Sequence, residues 1–359
     1  MSLFFELIRV ALMQRNSLST IPTPQEWEEM YQLSHKHALT GIAYCGLERL
    51  PKNQLPDLSL SWQWNEDTRE IEAKNLIHRK RAIQLLKNLQ RDGFKAVIFK
   101  GTSLSPYYPK HLSNRRSPGD IDTWVVSAIK GNQTVPVSLR EIIEYAQKTL
   151  PNHFLCYLHY DFDVFSDVPI ELHLRPTFSC VPWYNHRLQQ WYHEVAHKVG
   201  YADEALDANT HCIILLLHIY KHLFENGIGL RQLLDLYIAI DYNKTHNGKA
   251  LDTHLLSYLG ISQFYQDISY VLRIVFEENT EKTTSDKRGQ FLLEEICQAG
   301  NFGQYDERIK QRNSKSGYAY EKLKHNLRLL HYYPSEVLWE PFFRLYHWTW
   351  RIFKLWRLE

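Results

Sequence analysis

Two carboxylates stand two positions apart in Gly119-Asp120-Ile121-Asp122, at the head of an apolar run over residues 121–126. Side chains alternate across a strand, so Asp120 and Asp122 share one face while Ile121 turns to the core. Like charges held that close are unfavourable unless a cation sits between them, and the hard oxygen donors of aspartate suit magnesium. A third carboxylate, Glu171, lies in Ile170-Glu171-Leu172-His173-Leu174, whose alternation sets Glu171 and His173 opposite three aliphatic side chains. A carboxylate on a half-buried strand needs a partner. If the two strands are neighbours, the three carboxylates converge on a space for two magnesium ions that clamp an attacking oxygen and a leaving phosphate oxygen.

Upstream, Lys100-Gly101-Thr102-Ser103 falls where a short apolar run ends. A strand that stops there and gives way to a helix offers free backbone N–H groups, two hydroxyls and a lysine to a triphosphate. Arg116 stands four residues before Asp120, and a guanidinium matches phosphate oxygens well. Downstream, His211, His218 and His222 fall on nearly one helical face, but no glutamate follows the first histidine as in a zinc protease. His218 and His222 are instead expected to line a cleft facing the carboxylates, with Arg231 and Asp235 as an ion pair beside them.

These residues need a particular set of elements around them. Thr23-Pro24-Gln25-Glu26 is a capping box that opens a helix to about residue 37, and a longer helix is expected over about 67–91, stopped by Gly93. Strands are expected at 94–99 and 121–126, and Ser138-Leu139-Arg140-Glu141 caps a helix to about 150. Runs at 154–165 and 169–174, joined by Ser166-Asp167, read as an antiparallel hairpin. Helices return at 211–224 and 230–242, and the polar stretches 277–289 and 301–317 read as surface loops. The expected architecture is α+β, with an N-terminal helical region over 1–92, a mixed strand-and-helix core over 93–200 and a C-terminal helical domain over 201–359.

Composition narrows the function classes. The 359 residues carry 42 basic and 40 acidic side chains, a net charge of +2 that announces neither a nucleic-acid nor an acidic-membrane partner. The apolar opening at residues 1–13 is broken by Glu6 and Arg9 and reads as an amphipathic helix rather than a signal peptide. No apolar run reaches the length of about 18 to 20 residues needed to cross a bilayer, which points to a soluble, cytoplasmic protein. Five scattered cysteines read as reduced, buried thiols. The aromatic and basic tail, with Trp339, Phe342, Phe343, Trp348, Trp350 and Trp356, is expected to dock on the rest of the protein.

Lys100-Gly101-Thr102-Ser103-Leu104, Tyr107-Tyr108-Pro109, Arg116-Ser117-Pro118-Gly119-Asp120-Ile121-Asp122 and Ile170-Glu171-Leu172-His173 together resemble the uncharacterised nucleotidyltransferase family of the polymerase-beta-like nucleotidyltransferase superfamily. The likeness extends more weakly to His218-Ile219-Tyr220-Lys221-His222 and Arg231-Gln232-Leu233-Leu234-Asp235. It implies a polymerase-beta-like core in which Gly101 and Thr102 hold the triphosphate and Asp120, Asp122 and Glu171 bind metal. The superfamily's first motif usually reads glycine-glycine or glycine-serine, whereas here Thr102 precedes Ser103. The implied reaction is magnesium-dependent transfer of a nucleoside monophosphate from an NTP, such as ATP, with release of pyrophosphate. The acceptor, whether a small molecule, a protein or an RNA end, is not specified. Two competing readings are a catalytically silent nucleotide- or partner-binding module and a toxin-like enzyme that modifies tRNA.

Overall fold

Asp57 and Gly93 bracket the longest element of the chain. The Asp57 carboxylate caps α4 (Leu58–Arg91) by accepting from the Leu60 amide at 2.9 Å, and Gly93 ends it with φ +90°. The helix starts nine residues before its expected beginning at 67, because Trp64 is anchored on the N-terminal helices, its indole N–H donating to Thr40 O at 2.9 Å. Those helices are α1 (Ser2–Ala11), α2 (Pro24–Lys36) and α3 (Thr40–Leu47). The capping box of Thr23 and Glu26 forms as the spacing predicts. The computed structural model describes residues 1–202, 205–278, 286–308 and 315–353.

The sheet follows α4. It contains β1 (Phe94–Ile98), β2 (Ile121–Lys130), β3 (Gln133–Val135), then, after α5 (Leu139–Thr149), β4 (His159–Asp161) and β5 (Ile170–His173). The order is β1-β2-β5-β4, with β3 also paired to β2; β2 and β5 run parallel and the other neighbours antiparallel. The expected hairpin is present but short. The Asp163 carboxylate accepts from the Ile170 amide at 2.7 Å and bends the chain out of β4 early, so the connection is longer than Ser166-Asp167.

Alternation assigns each sheet face. Ile121, Val125, Ile170 and Leu172 pack on Ala82, Leu85 and Leu89 of α4 and on Ile142 and Ile143 of α5. On the opposite face Trp124 and Val126 lie under α6 (Pro182–Tyr201), with the Trp124 and Tyr192 rings 5.7 Å apart. α6 covers that face beyond Trp124 and leaves the Asp122 end open to the helices that follow. These are α7 (Ala208–Glu225), α8 (Leu230–Asn247), α9 (Thr253–Tyr258), α10 (Ser262–Phe276), α11 (Lys287–Ala299), α12 (Lys315–Leu330) and α13 (Pro334–Phe353).

α1 packs on α10, so the first and last helical regions share one apolar cluster. The C-terminal helix docks through Val337, Phe343 and Trp350 while Phe342 and Trp348 stay exposed; Lys354, Trp356 and Arg357 lie outside the described residues. The two polar stretches also lie partly outside them. In the described part of the second, Asn301–Gly303 is a single turn that turns inward rather than a surface loop. Among the described residues no helix is long and apolar enough to cross a membrane.

Buried histidines make this fold sensitive to acid. Desolvation pushes the imidazole of His37 down to about 3 and those of His211 and His325 down to about 4. Below the ordinary value of 6.5 the unfolded chain takes up protons that the folded chain refuses, so stability falls as pH falls and is untouched by these groups above it. Each group removes about 1.4 kcal/mol per pH unit below its ordinary value, and the desolvated His218 and His222 act in the same direction, so urea unfolding should show several kcal/mol less stability at about pH 5.5 than at about pH 7.5. His325→Gln should reduce that dependence by about 1.4 kcal/mol per pH unit; equal stability at the two pH values would refute this account.

Candidate active site

The loop before β2 is held from behind by α4. Asn75 donates its side-chain amide to the carbonyls of Asn114 and Arg116, each at 2.8 Å, and His78 lies 2.7 Å from the Gly119 carbonyl. These bonds seat Gly119 and Asp120 at the mouth of the sheet. β1 arrives from the other side: the Phe99 amide donates to Asp122 O at 3.3 Å, and Lys100 leaves the strand extended, aimed at Asp122. Gly101 then turns the chain with φ +62° into a short 3-10 turn, a backbone state that a side chain disfavours even though a Cβ there would have room.

The parallel register places Asp122 beside Glu171 and Trp124 beside His173. Oxygens of Asp120, Asp122 and Glu171 therefore all lie within 4.8 Å of one another. Asp122 is 3% exposed and receives Lys100 Nζ at 2.6 Å and His173 Nε2 at 2.9 Å. Desolvation would raise its pKa, but Lys100 and His173 outweigh it and hold Asp122 below the usual carboxylate range. Glu171 is likewise lowered against its own desolvation, by its hydrogen bond to His173. Asp120 faces solvent and is pushed up to about 6, first by the charge of Asp122 and then by desolvation. Lys100 and Arg231 offset only part of the negative charge at Asp120. Three hard oxygen donors with surplus negative charge fit a divalent cation such as magnesium.

α7 closes the cleft. His218 Nε2 lies 2.9 Å from Lys100 Nζ, and its ring is 4.2 Å from that of His222, which in turn meets the Phe302 ring at 5.0 Å. Desolvation pulls both histidines well below their ordinary pKa, so they are neutral. His211 is placed elsewhere: its Nδ1 lies 2.6 Å from the Tyr107 hydroxyl.

Several residues take roles other than those expected. Asp235 pairs with Arg116 and not with Arg231: its two oxygens take Arg116 Nε and Nη2, each at 2.7 Å, and the Tyr108 hydroxyl at 2.6 Å. Arg116 borders the cleft, but Asp235 and the Ser117 carbonyl engage its guanidinium. Arg231 donates through Nη1 to Ser117 O at 2.9 Å, while its buried Nε has no hydrogen-bond partner. Burial pushes Arg231 down to about 10, with Arg116 adding to the effect. Lys100 and Gly101 line the same cleft as Asp120 and Asp122, whereas Thr102 and Ser103 do not. The Thr102 hydroxyl is buried without a partner and Ser103 Oγ donates to Lys100 O at 3.3 Å. The cleft is tight, about 40 Å³.

Sequence reasoning missed His159 and Phe302. His159 Nδ1 lies 3.1 Å from Glu171 Oε2, and the only local signal was the alternation His159-Tyr160-Asp161. Phe302 lines the cleft from a turn in which it adopts φ 50°, inside a polar stretch that carries no periodicity.

Residues 23–276, running from α2 through α10, match the profile of a family described as an uncharacterised nucleotidyltransferase. No curated protein and no solved structure matches the chain.

Proposed function

The chain belongs to the uncharacterised nucleotidyltransferase family, and from that premise we propose that it moves a nucleoside monophosphate from an NTP to an acceptor hydroxyl and releases pyrophosphate. The observation that carries the reading is the parallel register of Asp122 with Glu171, which gathers three carboxylates beside a lysine and a buried arginine. We take residues 93–200 as a polymerase-beta-like core between helical regions 1–92 and 201–359.

In this reading Asp120, Asp122 and Glu171 hold two magnesium ions, which when bound neutralise the phosphate oxygens around the reacting phosphorus. Glu171 takes the acceptor proton, the acceptor oxygen bonds to the α-phosphorus, and the bond from that phosphorus to the departing pyrophosphate breaks. Lys100, free backbone N–H groups at Gly101 and Arg231 bind the triphosphate. Arg231 is better placed for this than Arg116, because its buried Nε has no protein partner to give up. A triphosphate is larger than the cleft, so Lys100 must leave Asp122 and Phe302 must shift as donor and metal enter. His218 receives Lys100 on one side of that movement.

The test is transfer of α-labelled nucleotide to a panel of small hydroxylated molecules, proteins and RNA ends, with magnesium present or chelated. Pyrophosphate release that stops on chelation is the expected result. Binding of NTP with no transfer to any acceptor would favour the silent binding module, and no binding at all would end the proposal. Arg231→Ala should weaken binding of a non-hydrolysable NTP by about tenfold or more, the loss of one charge-assisted hydrogen bond. An unchanged dissociation constant would exclude Arg231 from the donor site.

A further inference from the structure

Glu171 faces two groups at once. On one side are Asp120 and Asp122, and on the other are His159 and His173, whose ring nitrogens and the Glu171 carboxylate lie within 4.8 Å of one another. The sheet builds this second cluster directly, because His159 pairs with His173 across β4 and β5 and Asp161 pairs with Glu171. All four side chains therefore share one face of the sheet.

The histidines are oriented as metal ligands are. His173 Nδ1 lies 3.1 Å from the carbonyl of Arg175, which can only accept, so Nδ1 carries the proton. Nε2 is thereby aimed at Asp122 Oδ1 at 2.9 Å and Glu171 Oε2 at 3.0 Å. His159 repeats the arrangement: Nε2 is 3.4 Å from Asp161 Oδ1, while the buried Nδ1 faces Glu171 Oε2 at 3.1 Å without forming a hydrogen bond. An imidazole with one nitrogen tied to a carbonyl or carboxylate and the other turned to a shared carboxylate is the arrangement that outer-shell groups impose on metal-binding histidines.

We propose that His159, His173 and Glu171 form a site for a divalent transition metal such as manganese, cobalt or zinc, joined through Glu171 to the carboxylate site. It rests on the nucleotidyltransferase reading, and it makes one of that reading's two metals a different element. Two imidazoles and one carboxylate favour such ions over magnesium, which prefers oxygen donors and gives up its water reluctantly. The Asp120 and Asp122 side of the cluster keeps the all-oxygen character that suits magnesium.

The experiment uses the full chain stripped of metal and titrated with Mn²⁺, read by calorimetry and by electron spin-echo modulation, which reports nitrogen bound to manganese. Nitrogen coupling is expected in the parent and should be lost or halved in His159→Gln, with Mn²⁺ affinity at that site down by about tenfold or more. His173→Gln provides a second variant should the first fail to fold, with circular dichroism checking both. Mn²⁺ binding without nitrogen coupling in the parent would overturn the histidine site and leave the carboxylate reading standing. No Mn²⁺ binding at all would overturn both.

Discussion

Asp120→Asn should lower nucleotide transfer by about 1,000-fold or more while leaving the fold intact. Asparagine keeps the size and hydrogen bonding of the side chain and removes only the charge that holds the cation. Metal stabilisation of the transferring phosphoryl group supplies several kcal/mol, and each 1.36 kcal/mol is about tenfold in rate. The variant should also be the more stable protein when metal is chelated. The folded-state pKa of Asp120 lies at about 6, above its ordinary 3.8, so ionisation costs stability as pH rises through that range. The gain in melting temperature should therefore be absent below about pH 4, grow as pH rises and be complete above about pH 6. Labelled-nucleotide transfer and thermal unfolding, each with magnesium and with chelator, read the two effects separately. Transfer at the parental rate would rule out a metal mechanism centred on Asp120.

Asp235→Ala should destabilise the protein by about 3 to 5 kcal/mol, the cost of stranding a buried cation. Asp235 is 4% exposed and takes three donors, two from Arg116 and one from the Tyr108 hydroxyl. Its removal leaves all three buried donors without their acceptor. The double variant Arg116→Met with Asp235→Leu should recover most of the loss, since replacing a buried pair by apolar side chains of similar volume is often neutral. Urea unfolding of parent, single and double variants measures this; a single-variant loss below about 1 kcal/mol would show the pair to be solvated after all. The folded double variant also separates the two arginines. A large fall in its NTP affinity would return Arg116 to the phosphates, whereas an unchanged affinity leaves that role with Arg231.

Local chemistry was readable where neighbours in sequence are neighbours in space. The capping boxes of Thr23 with Glu26 and of Ser138 with Glu141 formed as their spacing requires, and Gly93 stopped α4. The alternation of Ile170-Glu171-Leu172-His173 assigned both faces of β5 before any partner strand was known. Where length depended on distant anchors the reading fell short: Trp64 extended α4 backward, and Asp163 cut β4 to His159–Asp161.

By itself, then, the sequence determined which residues carry charge, which face of each strand they occupy and which family they fit, because strand period, capping and turn preference act over a few residues. Only the tertiary structure decided what those charges meet. The register of β2 against β5 joins segments separated by β3, α5 and β4, and it alone put Asp122 beside Glu171. Asp235 had two arginines within reach of its helix, and the loop pinned by Asn75 and His78 gave it Arg116. Phe302 entered the cleft from a stretch without periodicity, carried there by the packing of α11 and the turn after it against the rest. Pairing across long chain separations depends on the whole fold closing at once, and no local pattern records it.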